Sequence, residues 1–185
     1  DVAGKGISAA LLMASIQAIV RTQLAAPSER NLSAAALVAQ LNRQLYANTS
    51  PEKYATFFFG LYDEDARLLP YTNAGHLQPL VIRETGTELL EVTGTVVGAF
   101  PAMRYEEQTV RLGPGDLLVA YTDGITEPEN AYGEEFGAER VAEVVKRNQT
   151  CESHEIVTKI MEAVRQWSAA EELPDDMTVV LALGL

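Results

Sequence analysis

Residues 112–127 read LGPGDLLVAYTDGITE, and the fold interpretation starts from this stretch. Gly113-Pro114-Gly115-Asp116 is a turn signal, because glycine and proline interrupt regular structure. The apolar run Leu117–Tyr121 that follows is typical of a buried strand. Asp123 comes directly after this run and before Gly124. A strand end holds a side chain in place and leaves it open to solvent, so Asp123 is a candidate functional residue.

Strands are also predicted on both sides of this stretch. Upstream, the aromatic and apolar run Tyr54–Tyr62 and the run Arg67–Thr72 flank the polar turn Asp63–Ala66, which indicates a hairpin whose first strand is buried on both faces. Further strands are predicted at Pro79–Arg83, Glu88–Val92, Glu107–Leu112 and Met177–Leu183.

Helical periodicity occurs at the beginning of the chain and before the last strand. Apolar residues recur at helical spacing from Ile7 to Leu24, and Asn31 or Ser33 can cap a second helix. The same spacing predicts helices over Ala138–Arg147 and from Ile156 to Trp167. The order of two helices, many mostly antiparallel strands, two helices and one strand predicts an α+β fold rather than a βαβ array.

Composition limits the classes of function. The chain has 185 residues, with 14 Lys and Arg against 26 Asp and Glu, and a formal net charge of −12. This charge repels phosphate backbones, so nucleic acid is excluded as a partner. A lone cysteine, Cys151, points either to a reducing compartment or to no particular compartment, and we expect the cytoplasm. The apolar stretch Ala9–Val20 is interrupted by Ser15 and Gln17, so we expect no membrane segment and one domain over residues 1–185.

Acidic residues also stand at the other places where chemistry is expected. Asp1 precedes a glycine-punctuated turn before the first helix, and Asp175 and Asp176 open the last strand. If such carboxylates meet at one point, they need a cation, and the hard ions Mg²⁺ and Mn²⁺ prefer oxygen ligands. Taken alone, an Asp-Gly pair at a strand end is usually an ordinary turn, and Asp175 and Asp176 are equally explained as solvated loop residues. Spacing alone therefore gives only a weak metal hypothesis.

Four segments together resemble the SpoIIE/RsbU-like branch of the metal-dependent (PPM, type 2C-like) serine/threonine protein phosphatases. The resemblance spans essentially the whole chain. It implies two stacked antiparallel sheets flanked by helices, an α-β-β-α sandwich, and a centre of two Mn²⁺ or Mg²⁺ ions where the sheets meet. The segments are DVAGKGISAALLM (residues 1–13), NAGH (residues 73–76), LGPGDLLVAYTDGITE (residues 112–127) and DDMTVV (residues 175–180).

The resemblance also implies roles for individual residues. Asp1 matches the carboxylate that bridges both ions, the Val2 carbonyl matches a backbone ligand, and Asp123 and Asp175 match the other two carboxylate ligands. Lys5 stands where eukaryotic relatives carry a histidine, and it is interpreted either as a residue that attracts phosphate or as a solvated turn residue. The general acid is left open. Relatives carry one or two strands before the first segment, so we expect such strands upstream of Asp1.

Two other residues near these segments are weighed against ordinary structural roles. Asp176 is assigned to the surroundings of the metal rather than to its ligands. His76 follows the turn Asn73-Ala74-Gly75, and it is interpreted as a structural turn residue rather than a catalytic one.

The resemblance implies a protein phosphatase that hydrolyses phosphoserine or phosphothreonine through a water activated by two metal ions. Its substrate would be a bacterial regulatory phosphoprotein, such as an anti-sigma-factor antagonist. Two alternatives stay open, a catalytically silent sensory or scaffold domain and a hydrolase of small phosphate esters. Because Asp1 and Val2 lead directly into the first helix, the helix pair Ile7–Tyr46 is a candidate surface for a regulatory domain, an activator protein or a second copy of the chain.

Overall fold

The computed structural model describes residues 1–25, 33–50, 52–170 and 175–184. Contacts divide the chain into two compact units, residues 1–76 with 91–111 and residues 77–90 with 112–185. The single domain expected over residues 1–185 stays a prediction. Within the described residues the elements are α1 (Ile7–Leu24), α2 (Ala34–Asn48), β1 (Phe57–Gly60), β2 (Leu68–Ala74), β3 (Leu80–Arg83), β4 (Gly86–Leu89), β5 (Gln108–Arg111), β6 (Leu117–Tyr121), α3 (Asp123–Thr126), α4 (Gly137–Arg147), α5 (Ser153–Trp167) and β7 (Val179–Leu183).

Helices α1 and α2 of the first unit form where helical periodicity predicts them. The Ser33 hydroxyl accepts a hydrogen bond from the Ala36 amide at 3.2 Å, so Ser33 is the N-cap of α2. The alternative cap, Asn31, lies outside the described residues. Leu12 and Ile16 of α1 are buried in the same cluster as Leu37, Val38, Leu41 and Leu45 of α2. The two helices therefore share one apolar core.

Helix α1 also bears on the expectation that the chain has no membrane segment. By length and composition alone it is apolar enough to cross a membrane, with a mean hydropathy of 1.4 over 18 residues. Core helices of soluble domains and signal sequences pass the same test. The absence of a membrane segment therefore stays a prediction.

The sheet of the first unit has the order β1-β2-β5, with both pairs antiparallel. Strands β1 and β2 confirm the predicted hairpin, but β1 has four residues where Tyr54–Tyr62 was predicted. Its residues are all half-buried rather than buried on both faces. On one side Phe57 and Phe59 pack against the α1–α2 core. On the other, Phe58 stacks on Tyr71 with ring centroids 5.5 Å apart.

The sheet of the second unit has the order β4-β3-β6-β7 and is also antiparallel throughout. Strand β4 begins at Gly86, earlier than the predicted Glu88, because a short turn at Glu84 and Thr85 pairs Gly86 with Arg83. Helices α4 and α5 pack on this sheet through buried residues. These include Val141, Val145, Ile156, Ile160 and Val164.

Asp116 connects the beginning of β6 to the end of β7. Its carboxylate accepts a hydrogen bond from the Gly113 amide at 2.8 Å and lies 3.4 Å from the Arg83 guanidinium. Its carbonyl accepts from the Gly184 amide at 2.8 Å, and the Gly184 carbonyl accepts from the Gly115 amide at 2.9 Å. The turn predicted at residues 113–116 is thus bonded to the residue that follows β7.

Every strand pair in the two sheets is antiparallel, and helices pack on the sheet of each unit. This confirms the predicted α+β class, with two antiparallel sheets flanked by helices.

Candidate functional site

In the second unit the paired strands β6 and β7 bring predicted site residues to one edge of the sheet. Tyr121, the last residue of β6, pairs with Val179, the first residue of β7. The pairing continues outward, because the Thr122 amide donates to the Thr178 carbonyl at 3.1 Å. The Thr178 amide in turn donates to the Thr122 hydroxyl at 3.1 Å. Asp123 therefore lies at the same end of the paired strands as Asp175 and Asp176, the two residues just before Met177.

Gly124 sets how closely these two segments approach. A Cβ atom built at Gly124 would lie 2.3 Å from the carbonyl oxygen of Asp176 and 3.4 Å from the carbonyl carbon of Asp175. Real Cβ contacts essentially never fall below 3.0 Å. Only glycine fits here, and the absence of its side chain lets the backbone after Asp123 touch the Asp175-Asp176 backbone.

Local hydrogen bonds orient both predicted ligands in this unit. One carboxylate oxygen of Asp123 accepts from the Gly124 amide at 2.8 Å, and one of Asp175 accepts from the Asp176 amide at 2.9 Å. Asp123 is half-buried and Asp175 is exposed. Two oriented carboxylates that present oxygen donors fit a hard divalent cation such as Mg²⁺ or Mn²⁺.

In the first unit Asp1, Val2 and Ala3 form an extended segment beside residues 54–56. The Thr56 amide donates to the Asp1 carbonyl and the Ala3 amide donates to the Tyr54 carbonyl, both at 2.9 Å. Val2 forms an antiparallel bridge with Ala55, which in turn bridges Val97. The Asp1 side chain is exposed. The backbone on both sides of the Val2 carbonyl, the predicted main-chain ligand, is thereby fixed.

Lys5 lies in the turn between this segment and α1. Its neighbours Gly4 and Gly6 have φ angles of 90° and 76°, which side-chain-bearing residues rarely adopt. No heavy atom lies within 4 Å of a Cβ built at either glycine, and Lys5 is exposed. The turn therefore presents Lys5 at the surface, at the beginning of α1.

A second lysine lies at the beginning of α1, and sequence reasoning missed it. The Lys53 ammonium donates to the hydroxyl of Ser8, in the first turn of the helix, at 3.1 Å. The two residues are 45 positions apart, so local patterns carry no signal of this contact.

His76, interpreted from sequence as a structural turn residue, contacts Thr56, which lies just before β1 and beside Asp1. Its Nδ1 atom shares a hydrogen bond of 2.8 Å with the Thr56 hydroxyl, in which the donor depends on the imidazole tautomer. Its backbone amide donates to the side-chain oxygen of Asn73 at 2.8 Å. Thr56 was not among the predicted residues, although it contacts both Asp1 and His76.

The structure thus places the predicted residues in two groups, each described within its own unit. Asp123, Asp175 and Asp176 share one sheet edge, whereas Asp1, Val2 and Lys5 lie on the segment that leads into α1. Across residues 1–25, 33–50, 52–170 and 175–184, no group of three or more His, Cys, Asp or Glu residues is arranged to hold a metal ion. The set of ligands Asp1, Val2, Asp123 and Asp175 stays a prediction.

Two antiparallel sheets with flanking helices are the architecture of PP2C-type phosphatase domains. The chain is similar to the SiaA-PP2C domain of Pseudomonas aeruginosa, with a TM-score of 0.85 and 19% sequence identity, over 100% of this chain and 73% of that one. It is also similar to RsbX solved in complex with magnesium, with a TM-score of 0.64 and 16% identity, over 96% of this chain and 75% of that one.

Sequence comparison assigns the family. The family model described as Stage II sporulation protein E (SpoIIE) matches residues 1–183, so the chain belongs to the SpoIIE family of phosphatase domains. Over 185 aligned residues it is 26% identical to the phosphoserine phosphatase RsbU of Bacillus subtilis (strain 168). That match covers 98% of this chain and 53% of RsbU, so the chain spans about half the length of this relative.

Proposed function

We propose that the chain is a metal-dependent protein phosphatase that hydrolyses phosphoserine or phosphothreonine in a bacterial regulatory phosphoprotein. The observation that carries this proposal is the contact at Gly124, which brings Asp123 and Asp175 to one sheet edge with both carboxylates oriented. Membership of the SpoIIE family and similarity to a phosphoserine phosphatase support the reaction.

We assign Asp1, the Val2 carbonyl, Asp123 and Asp175 as ligands of two Mn²⁺ or Mg²⁺ ions. These donors are all oxygens, the type that both ions prefer, and a relative of similar fold was solved in complex with magnesium. When bound, a pair of such ions supplies an activated water and neutralises charge on the phosphoryl oxygens.

The protein's own residues position the reaction. Asp123 and Asp175 are each held by the amide of the next residue, so their orientation is set before a ligand arrives. We assign Lys5 to attraction of the substrate phosphate, because it is a cation displayed on an exposed turn beside the Asp1 segment. No residue is assigned as the general acid.

We propose that the substrate is an anti-sigma-factor antagonist or a similar phosphoprotein in the cytoplasm. A regulatory domain, an activator protein or a second copy of the chain would act through α1. Supporting this, Ile7 and Leu11 on α1 are 82% and 64% exposed although both are large and apolar. The helix is also joined directly to the segment that carries Asp1 and Val2.

Replacement of Asp123 by asparagine tests the function. The substitution keeps the shape of the side chain and removes one ligand charge, so we expect Mn²⁺-dependent phosphate release from a phosphoserine protein to fall at least ~100-fold. Asp65→Asn, in an exposed turn, is the matched control and should retain wild-type activity. Urea unfolding of both variants checks that they are folded.

Two results would contradict the proposal. Equal rates for the wild type and Asp123→Asn would remove the metal assignment. Activity on para-nitrophenyl phosphate without release of phosphate from any phosphorylated protein would instead favour a hydrolase of small phosphate esters.

A further inference from the structure

A series of hydrogen bonds connects Asn73, a buried residue near the end of β2, to Asp1. We propose that His76 is a positioning residue for Asp1 and acts through Thr56. The role of Asp1 rests on the proposed function, whereas the link itself is a property of the protein without metal.

Thr56 links Asp1 to His76 in this series of hydrogen bonds. Its amide donates to the Asp1 carbonyl at 2.9 Å, and its carbonyl accepts from the Asp1 nitrogen at 3.2 Å. Both backbone groups of Thr56 therefore bond the same residue. Its hydroxyl bonds His76 Nδ1 at 2.8 Å, which fixes the side-chain rotamer of Thr56.

His76 is itself hydrogen-bonded to the end of β2. Its amide donates to the side-chain oxygen of Asn73, a residue that is completely buried. The Asn73 amide donates to the Thr93 hydroxyl at 2.9 Å, and the Asn73 carbonyl accepts from the amides of Thr93 and Gly94. The imidazole therefore extends from a part of the first unit that is fixed by several bonds, and it can serve as a fixed point for Thr56.

The Asp1 segment needs such a fixed point. Asp1 is exposed, and Gly4 and Gly6 follow it in a turn with open space around both positions. Hydrogen bonds join this segment to Tyr54 and Thr56. Because a misplacement of about 1 Å in a reacting site can cost ~100-fold in rate, a contact that keeps Thr56 in place would help to keep Asp1 in place.

The experiment removes each side of the hydroxyl–imidazole bond and then both. Thr56→Val keeps the branched shape and removes the hydroxyl, and His76→Leu removes the ring nitrogen. One readout is the Mn²⁺ concentration for half-maximal phosphatase activity. The other is the hydrogen-exchange rate of the Thr56 amide in metal-free protein, which reports on its bond to the Asp1 carbonyl. Matched controls on helix α5 are Thr158→Val and His154→Leu, at exposed positions.

We expect each single variant to raise the Mn²⁺ concentration for half-maximal activity about tenfold. This is the lower end of the effect seen when a residue that supports a metal ligand by hydrogen bonding is replaced. Hydrogen exchange of the backbone amide at position 56 should be faster in both Thr56→Val and His76→Leu than in the wild type. The double variant should be no worse than either single variant, because the two side chains act as one unit. Thr56→Ser, which keeps the hydroxyl, should restore the wild-type values. The controls should not differ from the wild type.

Two results would overturn the proposal. One is an unchanged exchange rate of the Thr56 amide in Thr56→Val, a readout that remains available if His76→Leu does not fold. The other is additive effects of the two substitutions on the Mn²⁺ requirement. If the wild-type protein has no Mn²⁺-dependent activity, the proposed function fails, and the exchange rates alone still decide whether His76 holds Asp1 through Thr56.

Discussion

Replacing Gly124 with alanine tests the close contact on which the candidate site depends. The new Cβ would lie 2.3 Å from the Asp176 carbonyl oxygen, and the two segments must separate by about 0.7 Å to reach an acceptable contact. The opposing atom is backbone, so no flexible side chain can move aside. Overpacking of this kind costs about 1–3 kcal/mol. A Gly→Ala substitution also lowers the conformational entropy of the unfolded chain, which stabilises the folded protein by about 0.4–1 kcal/mol. We therefore expect Gly124→Ala to lower the free energy of unfolding by roughly 1–2 kcal/mol.

Gly113→Ala is the matched control for this measurement. The nearest atom to a Cβ at Gly113 is the Asp116 carboxylate oxygen at 3.6 Å, an ordinary contact. Urea unfolding followed by circular dichroism should show Gly113→Ala at or slightly above wild-type stability. The Mn²⁺ requirement should rise only in Gly124→Ala, because there the backbone of Asp123 moves away from that of Asp175. If Gly124→Ala is as stable and as active as Gly113→Ala, the contact is not what positions the acids.

Two further predictions concern the cores of the two units. Burial raises the pKa of both Tyr105 and Tyr121 to about 12, above the usual value of 10.0. The unfolded chain therefore releases these protons first, and the free energy of unfolding should fall as pH rises from 10 through about 12. Urea titrations at several alkaline pH values should show a shallower fall in Tyr121→Phe, and an identical slope would contradict this. Ile160→Ala, at a fully buried position, should cost about 2–5 kcal/mol, whereas Ile7→Ala, which is 82% exposed, should change stability little. An equal decrease in the free energy of unfolding in Ile160→Ala and Ile7→Ala would contradict the difference in burial between the two side chains.

Periodicity predicted most of the elements because each packs through its own repeating apolar face. Helix α1 has the predicted bounds, and Ser33, one of the two predicted caps, is the N-cap of α2. The errors occur where pairing with the neighbouring strand of a hairpin, rather than the apolar run itself, sets the limits of an element. Strand β1 is shorter than the apolar run around it, and β4 begins two residues before Glu88. Helix α3 has only four residues, too few to show a period.

The candidate site was predictable only in part. The position of Asp123 directly after an apolar run indicated a strand end, and the structure confirms that Asp123 directly follows the residues paired with the start of β7. The proximity of Asp123 to Asp175 follows from strand pairing between residues far apart in sequence, so it came from the family resemblance and not from spacing. Thr56 and Lys53 gave no signal, because each acts through a partner at least 20 residues away.

The bonds around Asp116 lie at the opposite end of β6 and β7 from the acids. Because Gly115, Asp116 and Gly184 are hydrogen-bonded to one another, the end of β7 cannot slide along β6 without breaking them. In an antiparallel pair, slippage by two residues keeps every side chain on the same face, so the apolar pattern alone penalises it weakly. Such slippage would carry Asp175 about 7 Å along the strand. This turn therefore fixes the register of β7 on β6, and the distance between Asp123 and Asp175 depends on hydrogen bonds made seven residues before Asp123.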